Sequence, residues 1–229
     1  MNAPTARAWL DSATIDPAIA QRWPDYCVHL VAVDEVDPEA LVTIAEQWLS
    51  AAEAAIAARD PEAVDPHVEA WREAFRSFGV APRVARSSVD ALTRRAVKGL
   101  PRVGALVDLY NAVSVLHAVP IGGEDLALYT GSARLVLADG AETFATMADG
   151  DAVVQAPESG EPIWVDDGGV TCRRWNWRQT TRTAISDSTR SVGFIIDSLD
   201  APHHTGAQRA ADALAEVLPG AVRRTVCAR

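Results

Sequence analysis

The change of pattern at Pro120-Ile121-Gly122-Gly123-Glu124-Asp125 constrains the fold of this chain more than any other feature. Before it the apolar residues recur at helical spacing. After it they fall in short runs closed by Gly, Asp or Pro. Helices first and strands later, without repeats or a long low-complexity linker, imply an α+β protein rather than an alternating α/β one. The expected arrangement is N-terminal helices packed on a C-terminal mixed or antiparallel sheet region.

Within the first half, residues 26–33 are a strand-like apolar run. Residues 39–59 have helical composition, with Leu41, Ile44, Ala45 and Trp48 on one face. Val68, Trp71, Phe75 and Phe78 define a helix over about 65–78, and Arg72 and Arg76 share a face with Glu69 and Glu73 at ion-pair spacing. Ser87 and Asp90 carry a helix-capping pattern, and the next helix buries Val89, Leu92, Ala96 and Val97. A further helix over 104–117 turns Leu106, Leu109, Tyr110 and Val113 inward and puts Asp108 and Asn111 on a common face.

The second half reads as strands at 134–138, 142–147, 152–155, 163–165, 170–174 and 192–196, followed by a helix at about 206–217. At 229 residues the chain can bury one full core. The expected division is an extension over 1–64, packed on the same unit, and a main domain over 65–229.

Composition excludes several classes. No apolar run approaches the length of a membrane span, and the start Met1-Asn2-Ala3-Pro4-Thr5 has neither basic nor apolar leader character. Cytoplasm is therefore the expected compartment. Cys27, Cys172 and Cys227 lie in separate regions, so neither a disulfide framework nor a thiolate metal site is expected. His203-His204 reads as a solvated turn after Pro202, and no metal and no cofactor is implied. Nucleophile-elbow, zincin, P-loop and dinucleotide motifs are all missing.

Net charge is −10, yet the cations cluster. Arg83, Arg86, Arg94, Arg95, Lys98 and Arg102 form one block, and Arg173, Arg174, Arg178, Arg182 and Arg190 a second. Phosphate binding responds to such local fields more than to total charge. The densest segment is Cys172-Arg173-Arg174-Trp175-Asn176-Trp177-Arg178-Gln179. Planar guanidinium forks for phosphate or carboxylate and flat indole faces for a ring make it read as a binding surface. As a strand it would send Arg174, Asn176 and Arg178 to one face and Arg173, Trp175 and Trp177 to the other.

Taken together, Ser87–Leu92, Arg95, Lys98-Gly99-Leu100-Pro101, Val107–Asn111, Pro120–Leu126, Ala141-Glu142, Asp166-Asp167, Cys172–Gln179 and Thr189 resemble the tRNA-editing (B3/B4) domain of the phenylalanyl-tRNA synthetase beta subunit. The resemblance covers about 65–200. It implies an α+β domain with a pocket for a misattached amino acid on the end of tRNA, whose ester is hydrolysed there. A chain this short would act in trans. Asp108 and Asn111 match an Asp and an Asn of the family, Asp125 an Asp after its Pro-x-His turn, and Thr189 a Thr before the final strand. Gly122-Gly123 replaces the family's His, and Cys172–Gln179 replaces a Gly-rich segment, so tyrosine selectivity does not carry over.

On that resemblance the candidate catalytic residues are Asn111, Asp125, Arg174, Asn176 and Thr189. Arg94, Arg95, Gly122, Gly123, Arg173, Trp175, Trp177 and Arg178 are candidates for binding misacylated tRNA and its small amino-acid moiety. The three arginines would divide between phosphate, ribose and oxyanion. Structural roles are equally open: Asp125 can close the Gly-Gly turn, Asn111 can bond a backbone amide, Thr189 can cap a turn, and one of the two indoles can be core. Cys172 reads as a structural cysteine, although nearby cations could activate it. The alternative function is a binder of an amino acid, a nucleotide-like ligand or tRNA that no longer catalyses. A partner-binding protein would show itself through exposed Trp9, Trp23 or Trp48. Oligomeric state is not legible in the sequence.

Overall fold

A computed structural model describes residues 3–60, 63–148 and 150–228. Met1 and Asn2, part of the segment read for a leader, lie outside the described residues. Along the chain run α1 (Ala6–Ser12), β1 (Thr14–Ile15), α2 (Pro17–Arg22), β2 (Cys27–Val33), α3 (Pro38–Ala57), α4 (Pro66–Ser77), α5 (Ser88–Ala96) and α6 (Ala105–His117). Then come β3 (Ile121–Asp125), β4 (Arg134–Leu137), β5 (Phe144–Ala148), β6 (Asp151–Gln155), β7 (Pro162–Asp166), β8 (Gly169–Arg173), β9 (Arg178–Gln179), β10 (Val192–Ser198), α7 (Ala201–Val217) and β11 (Val222–Cys227). The architecture is α+β. Among the described residues no helix is long and apolar enough to cross a membrane.

Asp-Pro pairs start three of the helices. In α2, α3 and α4 the capping Asp16, Asp37 and Asp65 accept the amide of the residue two further on, while proline occupies a position whose N–H has no helical partner. Ser87 caps α5 through the Asp90 amide. Asp90 then accepts Arg72 from α4 at 2.9 Å and Arg94 from its own helix at 2.9 Å, tying the two helices together.

Two sheets form the centre. One is antiparallel, in the order β11-β2-β10-β3; the other is β1-β4-β7-β8-β9, in which β1 and β4 are parallel. A ribbon of β5 and β6 stands beside them. Alternation along β2 and β10 divides the core. Val31, Val33, Phe194 and Ile196 face α3, α6 and α7 through Leu41, Leu109, Ala207 and Leu214. Val28, Leu30, Ala32 and Ile195 face Trp9, Trp71 and Phe75 on the helices, and Leu135, Trp164 and Cys172 of the second sheet. At Gly193 an added Cβ would come within 2.8 Å of the Trp9 indole, so only glycine lets α1 approach β10 this closely.

Several sequence expectations are corrected. Gly122-Gly123, which Asp125 could have closed as a turn, lies instead in strand β3, paired along its length with β10. His203-His204, read as a solvated turn, lies in the first turn of α7, which Asp200 caps and in which Pro202 is tolerated. The His203 ring stacks on buried His67 at 4.3 Å, and His204 Nδ1 bonds Ser198 at 2.7 Å. Cys27 and Cys227 are joined in a disulfide. They are directly opposed residues of β2 and β11, brought together by pairing that spans 200 positions of sequence. Trp9 is fully buried, and Trp23 and Trp48 pack against core clusters, so these indoles do not mark a partner surface.

Candidate functional site

Cys172–Gln179 is not one strand. β8 ends at Arg173, a tight turn occupies 174–177, and β9 resumes at Arg178. Arg174 and Trp175 have φ of 47° and 67°, a left-handed conformation rare for side chains of this size. Tertiary contacts hold it: the Trp175 amide donates to Pro162 at 2.7 Å, and its indole is edge-on to Trp23 at 4.6 Å, Tyr26 at 4.9 Å and Trp71 at 5.2 Å. The turn breaks the expected two-face alternation and separates the two indoles. Trp175 plugs the core. Trp177 lies nearer the surface, with the Arg174 and Arg178 guanidiniums 4.5 and 4.4 Å from its ring centroid.

Beneath this turn lies a cavity of about 230 Å³, bounded by the start of α5, by α6, β3, β10 and the turn itself. Of the residues picked out in sequence, Asn111, Gly122, Trp175, Asn176, Trp177 and Arg178 line it. Asn111 has no side-chain hydrogen bond among the described residues, which leaves it available to a ligand. At Gly122 an added Cβ would meet only Gln179, in ordinary contact at 3.6 Å. Gly123 serves packing instead, since a Cβ there would meet Ile185 at 2.5 Å and Tyr110 at 3.0 Å.

Other candidates lie elsewhere. Thr189 Oγ1 donates to Asp125 Oδ2 at 2.6 Å and accepts the Ser186 amide, while Asp125 Oδ1 accepts the Ala127 amide. The pair clamps two loops outside the cavity lining. Asp108 accepts the Val103 amide at 2.8 Å at the start of α6. Arg173 is buried and held by both oxygens of buried Glu161 at 2.7 and 2.9 Å. Arg174 is shared between Glu158 and Glu161. Arg182 is bidentate on buried Asp166. Most of the second basic block is therefore spent inside the protein, leaving Arg178 at the cavity.

Two carboxylates that sequence reasoning passed over line the cavity instead. Glu124, on β3 beside Gly122's face, accepts Thr183 Oγ1 and Gln179 Nε2. Burial pushes its carboxyl up to about 8, against the downward pull of those two donors. Asp197, near the end of β10, accepts the Tyr26 hydroxyl at 2.6 Å and Asn176 Nδ2 at 3.0 Å, and burial lifts it to about 7. Reading 121–125 as a strand would have put Gly122 and Glu124 on one face. Asp197 falls one residue beyond the expected strand and follows a wholly apolar run. Cys172 also lines the cavity, and burial raises its thiol well above the usual range, as suits a structural cysteine.

Next to the cavity is a shallow groove lined by Arg86, Arg94, Arg95, Lys98, Trp177 and Arg178. Arg86 and Arg94 lean on Asp90. Arg95, Lys98 and Arg178 have no carboxylate partner among the described residues. Trp177 and Arg178 belong to both cavity and groove, so the two adjoin.

Comparison with known families decides the kinship. The model of the B3/4 domain matches residues 70–214, well over half of the chain. The chain belongs to the B3/4 domain family. This B3/4 protein also matches solved structures. One match is an N-terminal fragment of the phenylalanyl-tRNA synthetase beta subunit from Pyrococcus horikoshii, with 12% identity and a TM-score of 0.49 over 93% of this chain. The B3/4 protein spans half of that fragment. A search of curated proteins finds no match.

Proposed function

We propose that this B3/4 protein is a trans-acting hydrolase that removes a misattached amino acid from tRNA. The observation that carries the reading is the junction at Trp177 and Arg178, where a half-open cavity adjoins a groove with unpaired cations. The aminoacyl group fits the cavity. The terminal nucleotides fit the groove, with phosphates on Arg95, Lys98 and Arg178 and a base or ribose against the Trp177 face. An aminoacyl ester is an activated bond, so positioning a water suffices. Water adds to the ester carbonyl, the bond to the ribose oxygen breaks, and that oxygen leaves with a proton. Glu124 changes protonation near neutral pH and can take the proton from water and return it to the ribose. Such a role belongs to the cytoplasm.

One observation favours the alternative, binding without turnover: Arg173 and Arg174, two of the three arginines expected to divide between phosphate, ribose and oxyanion, are bound up with Glu158 and Glu161. The test is amino-acid release from a panel of tRNAs mischarged with different residues, using the wild type and Glu124→Gln. Selective release lost in the variant supports the hydrolase. Tight tRNA binding with no release from any ester replaces it with the binder.

A further inference from the structure

The end of the cavity at Asn176 has more hydrogen-bond acceptors than the protein supplies with donors. Asn176 Nδ2 donates to Asp197 Oδ2, which orients the amide and leaves Asn176 Oδ1 buried without a partner. Tyr26 and Asn176 together fill two of the roughly four acceptor positions of the Asp197 carboxylate. Ser88 Oγ, in the first turn of α5, is likewise buried and unpartnered. Its backbone amide donates to the Asn176 carbonyl at 3.1 Å, which sets the two residues side by side on the cavity wall. Buried acceptors are rarely left open, and those that are need an explanation.

Resting on the reading of the cavity as an aminoacyl pocket, we propose that Asp197, Asn176 Oδ1 and Ser88 Oγ receive an ammonium group of the ligand. An ammonium brings three N–H donors and a positive charge. The three acceptors match its donors, and the carboxylate, only 1% exposed and bonded to neutral donors alone, gains the counter-charge it lacks. A neutral amide would offer fewer donors and leave Asp197 uncompensated. The ammonium is either the α-amine of the aminoacyl group or the amine of a cationic side chain, and the chemistry recognised is the same.

Calorimetric titration of the full chain distinguishes these sources. Glycinamide, leucinamide and phenylalaninamide present only an α-ammonium, Nα-acetyl-lysinamide only a side-chain ammonium, and the N-acetyl derivatives of the first three neither. One cationic class should bind about ten- to a hundredfold more tightly than the neutral compounds. Asp197→Asn should erase that preference, and Ser88→Ala should weaken it while leaving the thermal transition near that of wild type. Ser88→Ala thus keeps the test decisive should Asp197→Asn fail to fold. Equal binding of the cationic and the neutral compounds, or no binding of any, overturns the proposal. Hydrolysis of N-acetylleucyl-tRNA as fast as of both leucyl-tRNA and Nα-acetyl-lysyl-tRNA would also sink the ammonium site while sparing the hydrolase. Ammonium binding without release from any tRNA would do the reverse.

Discussion

Replacing Glu124 with Gln tests the burial of charge in the cavity directly. The substitution keeps the shape: Gln179 can still donate to the retained carbonyl, and the Thr183 hydroxyl can turn to accept the new amide. What changes is the proton. The folded-state pKa of Glu124, about 8, lies above its ordinary value of 4.5, so the folded protein holds a proton that the unfolded chain releases between those limits. The contribution of this group is fully present below about pH 4 and is lost as pH rises through about 8. At 1.36 kcal/mol per pH unit, the interval sets a ceiling of about 5 kcal/mol. Local relaxation and water entry lower the realised value, and about 2 kcal/mol or more is expected. Urea unfolding of wild type and Glu124→Gln between pH 4 and 9 measures it. The stability of the variant relative to wild type should climb across that range. Asp197 titrates in both proteins and cancels in the comparison. Curves that stay parallel within about 0.5 kcal/mol would refute the burial argument and, with it, Glu124 as a proton carrier near neutrality.

Three further outcomes are expected. Arg95→Ala with Lys98→Ala should weaken tRNA binding and reduce the salt slope of log K by about 1.4, since two phosphate contacts are removed; an unchanged slope in filter-binding titrations would take the nucleic acid off this groove. Opening the Cys27–Cys227 disulfide, by reductant or by paired Ser substitution, releases a crosslink across 200 positions and should cost up to about 5 kcal/mol in urea unfolding. Equal stability with and without reductant would mean that the strand pairing of β2 and β11 suffices. Finally, we propose that residues 1–64 belong to the same folding unit as the rest. β2 sits between β11 and β10, so a chain lacking 1–64 should show no cooperative thermal transition, and a sharp one would contradict this.

Much of the fold is legible in local pattern. The helices α3 to α6 and most strands after β3 fall close to where periodicity, Asp-Pro and Ser caps and glycine turns put them, because those signals act within a few residues. Elements stabilised from a distance were not legible. β3 contains Gly122-Gly123 and looks like a turn; it becomes a strand because β10 supplies its hydrogen bonds and because Ile185 and Tyr110 pack where Gly123 has no side chain. The Cys27–Cys227 link likewise depends on register between strands at opposite ends of the chain.

The site divides along the same line. Composition and spacing by themselves established an α+β chain with clustered cations and an unusual Arg-Trp-Asn segment beside a helix with a polar face, and they selected Asn111, Asn176, Trp177 and Arg178, which do meet at one cavity. They could not assign partners to the other arginines. Whether a guanidinium faces a ligand or a buried carboxylate depends on Glu161 and Asp166, which are remote in chain pattern and adjacent only after the second sheet forms. Nor could they mark Glu124 and Asp197 as cavity carboxylates. Burial is what gives those two groups their altered protonation, and burial is a property of the assembled layers: a residue's type is written in the chain, whereas its solvation is set by whatever the fold packs around it.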